Sequence, residues 1–133
     1  QYGRVMDDIA ETPCTYTVVE EEILGFSHPL IGALVAKKWN FSPDTCQTIL
    51  HYRDPVDSSP VMEQDQKIAI VQLADLVVHE LGIGSPPNYP RAKREIERLA
   101  VLLGFDPKSV GIKIDEIMHE SAQQLENQKR LFE

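Results

Sequence analysis

Between Glu63 and Leu81 the chain reads EQDQKIAIVQLADLVVHEL. Here Ile68, Ile70, Val71, Leu73, Ala74, Leu76, Val77, Val78 and Leu81 cover most of the circumference of a helix. A helix that is apolar over so much of its surface belongs in the middle of a protein, packed on several sides. The apolar spacing elsewhere is helical too, with no alternating run and no Asn-Gly or Asp-Gly hairpin signal. The expected fold is therefore all-α. At 133 residues the chain is the size of one domain, so a single globular unit over residues 1–133 is expected.

The other elements follow from their punctuation. A first helix is expected from Tyr2 to Glu11, broken by Thr12-Pro13-Cys14-Thr15 because proline disfavours helix in the residue before it. YTVVEEEIL makes a second, and its acids Glu20 to Glu22 read as a solvated face. Gly25 closes it, and Ser27 is placed to cap a third helix from His28 or Pro29 to Trp39, with Ile31, Leu34, Val35 and Lys38/Trp39 as its buried stripe. Ser42 caps a fourth, Pro43 to Arg53, with Cys46, Ile49 and Leu50 inward and Asp54-Pro55 as its stop. Val56 to Pro60 and residues 82–90 have loop composition. A basic-flanked helix is expected over Arg91–Leu103, ending at Gly104, and a last one over Val110–Leu131 with Ile112, Ile114, Ile117 and Met118 inward. Its polar end, QQLENQKR, is free to fray or to pack on a partner.

Charge narrows the classes of function. With 21 acidic against 13 basic residues the formal net charge is -8, which opposes non-specific attraction to phosphate backbones and to anionic lipid. Neither nucleic acid nor membrane is expected as a partner. The N-terminus QYGRVMDDIAE lacks the pattern of a signal peptide, and no run is apolar enough to span a bilayer, so a cytoplasmic location is expected. Cys14 and Cys46 form neither a CxxC pair nor a disulfide framework and read as small buried hydrophobes. There is no phosphate-binding glycine loop, no GxSxG elbow and no HExxH.

What remains is a set of polar residues in apolar company. Asp75, in QLADLVV, sits where a carboxylate is costly unless it is paired, hydrogen-bonded or metal-bound. The plain reading is a hydrogen-bonded residue that holds helices together; the functional one is a ligand. His79 lies four residues on, on the same face. His28, beside Pro29, can cap a helix or bind a metal. His51 ends its helix, where a protonated imidazole complements the dipole. His119, between Glu116 and Glu120, reads as a surface residue.

Taken together, GFSHPLIGALVAKKWNFSPDTCQTILHYRDP and KIAIVQLADLVVHELGIG resemble the C-terminal half of an HDOD domain, a bacterial signalling branch of the HD phosphohydrolase superfamily. Gly25, Phe26, His28, Ile31, Gly32, Ala33, Trp39, Ile49 and Pro55 fall on the family pattern, as do Leu73-Ala74-Asp75 and Gly82-Ile83-Gly84. The resemblance implies an HD-like helical bundle of about six or seven helices and, in catalytic relatives, a metal site. In that site Asp75 matches the later aspartate and His28 the histidine that opens the corresponding helix. The paired histidines of the family's HHxP motif fall on Tyr52 and Arg53, and His51 stands one position early, turned by about 100° on a helix. A guanidinium has no lone pair for a metal. The family's His-Asp doublet would lie ahead of Gln1, so the expected domain lacks its N-terminal part.

Three readings follow from the resemblance. The first is a non-catalytic or degenerate HDOD regulatory module, acting through contact with a protein partner or fused signalling domain, with a homodimer as a further option and no cofactor. The second is a metal-dependent phosphohydrolase using Fe, Mn, Mg or a similar divalent ion. In it His28 and Asp75 are ligands, His51 or His79 an auxiliary base and Arg53 a phosphate clamp, since its planar fork suits phosphate oxygens. The third is a nucleotide-binding sensor that keeps Arg53 and His28 without hydrolysis.

Overall fold

The computed structural model describes residues 3–5, 16–56, 63–83 and 92–129. Within them lie six helices: α1 (Tyr16–Leu24), α2 (His28–Lys38), α3 (Pro43–His51), α4 (Glu63–Glu80), α5 (Lys93–Leu102) and α6 (Val110–Lys129). Residues 3–5 are also helical, and no strand occurs among the described residues. The fold is an all-α bundle, as the periodicity requires. The expected first helix beyond residue 5, Cys14, most of the 56–60 loop and residues 84–90 lie outside the described residues.

The helix ends follow their sequence signals. Gly25 ends α1 with φ 78, and Gly82 and Gly104 end α4 and α5 with φ 73 and 99. Asn40, at φ 60, does the same for α2, and the Phe41 N–H then donates to the Ala36 carbonyl at 3.0 Å, closing a Schellman turn. Ser42 caps α3 as expected: its Oγ accepts the Thr45 N–H at 3.2 Å, with Pro43 in the first turn. Ser27 does not cap α2 through its side chain. That role passes to a carboxylate of another helix.

Consecutive helices pack on one another, α1 on α2 and so on to α5 on α6. The larger core joins α4, α5 and α6: Val77, Ile96, Ala100, Val110 and Ile114 are buried, with Leu73, Leu76, Phe105, Ile117 and Met118 packed around them. A smaller cluster holds Val5, Tyr16 and Val19 under Ile23 and Leu24. No described helix is long and apolar enough to cross a membrane.

Several inward assignments are corrected. Ile31, Leu34, Val35 and Trp39 are exposed, and the buried side of α2 is Pro29, Ala33 and Ala36. Small residues won because α2 approaches α3 so closely that a Cβ on Gly32 would stand 3.0 Å from Ile49 Cγ2. On α4, Ile68, Ala69 and Val77 are buried while Ile70, Val71, Ala74 and Val78 are exposed, so this helix is covered on fewer sides than its composition suggests. Ile112 is exposed, since only one face of α6 meets α5, and Ile114 fills it. Cys46 is half-buried. Finally, Glu21 and Glu22 are solvated but Glu20 is buried.

Candidate functional site

On α1, Tyr16, Val19 and Glu20 recur at helical spacing and share the buried face. This puts a carboxylate that is 1% exposed among apolar neighbours, a costly placement without partners. The turn at Gly25 folds the chain back and brings the start of α2 beneath it. Glu20 Oε2 accepts the His28 backbone N–H at 2.8 Å and lies 2.6 Å from His28 Nδ1. Glu20 thus satisfies one of the orphan N–H groups that open α2 and also holds the imidazole.

The other ring nitrogen is engaged as well. His28 Nε2 lies 2.6 Å from the hydroxyl of Tyr52, the residue that terminates α3. Burial pushes the Tyr52 hydroxyl above its ordinary value, opposed by the hydrogen bond and charge of Arg53. His28 thus joins α1 to the end of α3 through its two ring nitrogens. Arg53 reaches back over the Tyr52 ring, its guanidinium carbon 5.0 Å from the ring centre.

Arg53 also crosses to α4. Its Nη1 lies 3.1 Å from Asp75 Oδ2 and its Nη2 donates to Oδ1 at 3.4 Å, a two-pronged pair between groups that are both mostly buried. His79 Nε2 approaches Asp75 Oδ2 at 3.4 Å, one turn along. The His79 ring stacks on Tyr16 at 6.5 Å between centroids and 20° between planes. Tyr16 and Glu20 share α1, so the contacts close into a ring: Glu20, His28, Tyr52, Arg53, Asp75, His79, Tyr16.

Of the residues singled out in the sequence, the structure brings His28, Arg53, Asp75 and His79 into this ring. His51 is left out. Its Nδ1 pairs with Asp54 at 2.6 Å on the exposed side, consistent with its one-position offset. His119 is exposed and its Nε2 meets Gln123 at 2.8 Å. Three members were missed: Glu20, Tyr52 and Tyr16. Tyr16 and Glu20 carry one local signal, their four-residue spacing beside Val19, but the acidic run Glu20 to Glu22 reads as a solvated surface. Tyr52 carried no such signal, because its place depends on how α3 meets α2.

Both nitrogens of His28 are engaged, Asp75 is bracketed by a guanidinium and an imidazole, and among the described residues no three His, Cys, Asp or Glu side chains converge as a metal-binding group. Beside Tyr52 an open, mainly apolar groove of about 530 Å³ runs between α3 and α4, lined by Thr48, Ile49, Ile70 and Val71. Its one cation, Lys67, is held by Asp44 at 3.0 Å and Glu63 at 2.9 Å.

The family comparison bears on this same segment. Residues 1–55 match the family model of the HDOD domain. The resemblance noted in the sequence is thus shown over residues 1–55, a match that takes in α1, α2, α3, Tyr52 and Arg53 but not Asp75. No curated protein and no solved structure matches the chain.

Burial pushes the His79 imidazole below its ordinary value, with Asp75 opposing and Arg53 reinforcing that direction. A lowered folded value means that the unfolded chain takes up this proton first as pH falls. The His79 contribution to stability is thus fully present above the ordinary imidazole value of about 6.5 and is lost as pH falls through the lowered folded value. Urea unfolding of wild type and His79→Gln across this window should show the steeper acid loss in wild type. Parallel curves would contradict the assignment.

Proposed function

We propose that the chain is part of a non-hydrolytic HDOD regulatory module that passes a signal through contact with a protein partner. The observation that carries this reading is the Arg53–Asp75 pair, with Nη1 3.1 Å from Oδ2. In the register of the HDOD resemblance Asp75 stands where catalytic relatives place a metal ligand, and here a fixed positive charge supplies what a cation would. His28, the other carried-over position, is committed to Glu20 and Tyr52. The ring then serves the packing of the bundle. It ties α1, α2, the end of α3 and α4 into one unit, so that a displacement of any one of these helices is felt by the others. Transmission by packed elements of this kind needs no turnover.

The HDOD family supplies the signalling context, and the acidic balance of -8 favours a protein partner over nucleic acid or anionic lipid. An anion sensor built on Arg53 would require its guanidinium to leave Asp75, which would then keep His79 at 3.4 Å. Metal analysis of the purified full-length protein, with phosphodiesterase assays supplemented with manganese, iron or magnesium, tests the proposal. The expected result is substoichiometric metal and no turnover. Stoichiometric transition metal together with turnover would sink it.

A further inference from the structure

α2 is built with its small side chains inward and its large ones outward. Ala33 and Ala36 are buried and Gly32 lies against Ile49, whereas Leu30, Ile31, Leu34 and Val35 are 41%, 41%, 55% and 39% exposed. Just beyond, Trp39 and Phe41 stand edge to face at 6.4 Å, and Trp39 is 68% exposed. Half of the exposed large hydrophobic residues among the described residues fall between Phe26 and Phe41. Single exposed apolar side chains are ordinary, but a contiguous set marks a contact surface.

The spacing states what kind of surface. Leu30 and Leu34, like Ile31 and Val35, are four residues apart and form two adjacent rows, the ridge-and-groove pattern into which another helix packs. Charge narrows the occupant. α2 carries no acidic residue and ends in Lys37 and Lys38, both exposed and neither in an ion pair among the described residues. In a chain of net charge -8 this is a local positive border to an apolar face. A two-fold contact of α2 with α2 of a second copy would bring no carboxylate from that helix to those lysines, because α2 carries none. A carboxylate-bearing partner would neutralise them.

We infer that the exposed face of α2, with Trp39 and Phe41 at its end, is the docking surface for an amphipathic helix of a partner protein whose apolar stripe is bordered by carboxylates. This rests on the reading of the chain as a contact module and specifies its partner.

Trp39 is the only tryptophan of the chain, so its fluorescence reports occupancy of the face directly. The probe is a synthetic helical peptide several heptads long, with leucine at the a and d positions and glutamate at e and g; its control carries lysine at e and g. Titrating the full chain with the glutamate peptide should move the Trp39 emission to the blue and saturate, with binding about tenfold tighter than the lysine peptide. The Lys37→Glu/Lys38→Glu double variant should invert that preference. Leu34→Asp should abolish binding with an unchanged far-ultraviolet circular dichroism spectrum. No shift with either peptide, or equal shifts with both, would overturn the inference. So would a shift on raising the protein concentration alone, which would assign the face to a second copy. A shift with phosphatidylglycerol vesicles but not with peptide would assign it to lipid, and emission already blue in the isolated monomer would show that the face is covered within the polypeptide. None of these readouts depends on metal or turnover, so this inference and the proposed function fail separately.

Discussion

Replacing His28 with alanine is expected to lower the unfolding free energy by about 3 kcal/mol, the low end of the cost of leaving a buried charge without its partner. Glu20 is 1% exposed, and the imidazole lies 2.6 Å from its carboxylate. The low end applies because the His28 side chain is itself 36% exposed, so water can enter the space it leaves. The sign is diagnostic. If Glu20 is held as a charge by His28, then Glu20→Gln in the His28→Ala background should restore part of the loss, since an uncharged amide is cheaper to bury. Urea unfolding of the two single variants and the double near neutral pH gives the coupling between the residues. A loss for His28→Ala below about 1 kcal/mol, the size of an ordinary hydrogen bond, would show that the pair does not hold α1 to α2.

The second large effect lies across the ring. Asp75→Ala is expected to cost about 2 kcal/mol, less than a fully buried pair because the carboxylate retains a quarter of its exposure. It leaves Arg53 and His79 together without the negative charge between them. Arg53→Met removes the opposite partner and should cost a similar amount, because Asp75 then keeps only His79 at 3.4 Å. The double variant should be less destabilised than the sum of the two by about 1–2 kcal/mol, the coupling expected of residues in direct contact. This cycle also separates the functional readings. A structural Asp75 lowers the urea midpoint and leaves metal content unchanged when it is removed. An Asp75→Ala variant that unfolds at the wild-type midpoint but has lost bound metal or turnover would instead make it a ligand.

These two experiments probe one object from its two ends, which explains why so polar a cluster can exist between helices. Each charged member faces an opposite charge or an imidazole, and each aromatic member lies against a cation or a ring. Removing any one leaves its neighbours unsatisfied in a site where water replaces them poorly. The ring accordingly adds specificity to the packing of α1 to α4, a region where α2 contributes mainly small side chains to the interior.

Much of this protein was legible in the sequence because it depends on neighbours along the chain. Helical periodicity gave the all-α class, and Gly25, Gly82, Gly104, Ser42 and Pro43 placed helix ends within about two residues, since caps and left-handed turns are decided by a few adjacent positions. The same local logic marked Asp75 and His79, which share a helix face, and set His51 out of register with Tyr52 and Arg53. What only the tertiary structure decided was which side of a helix another helix would choose. α2 carries large apolar residues and small ones on opposite faces; the chain buried the small ones because α3 approaches too closely for anything larger at Gly32. Glu20 looked solvated in the run Glu20 to Glu22 and became a buried anchor because α2 folds back beneath it and delivers both an N–H and an imidazole to one oxygen. Tyr52 joined the site for the same reason, through an approach between helices that no local pattern encodes. Periodicity specifies that a face exists; only the packing partner determines whether that face is core, site or open surface.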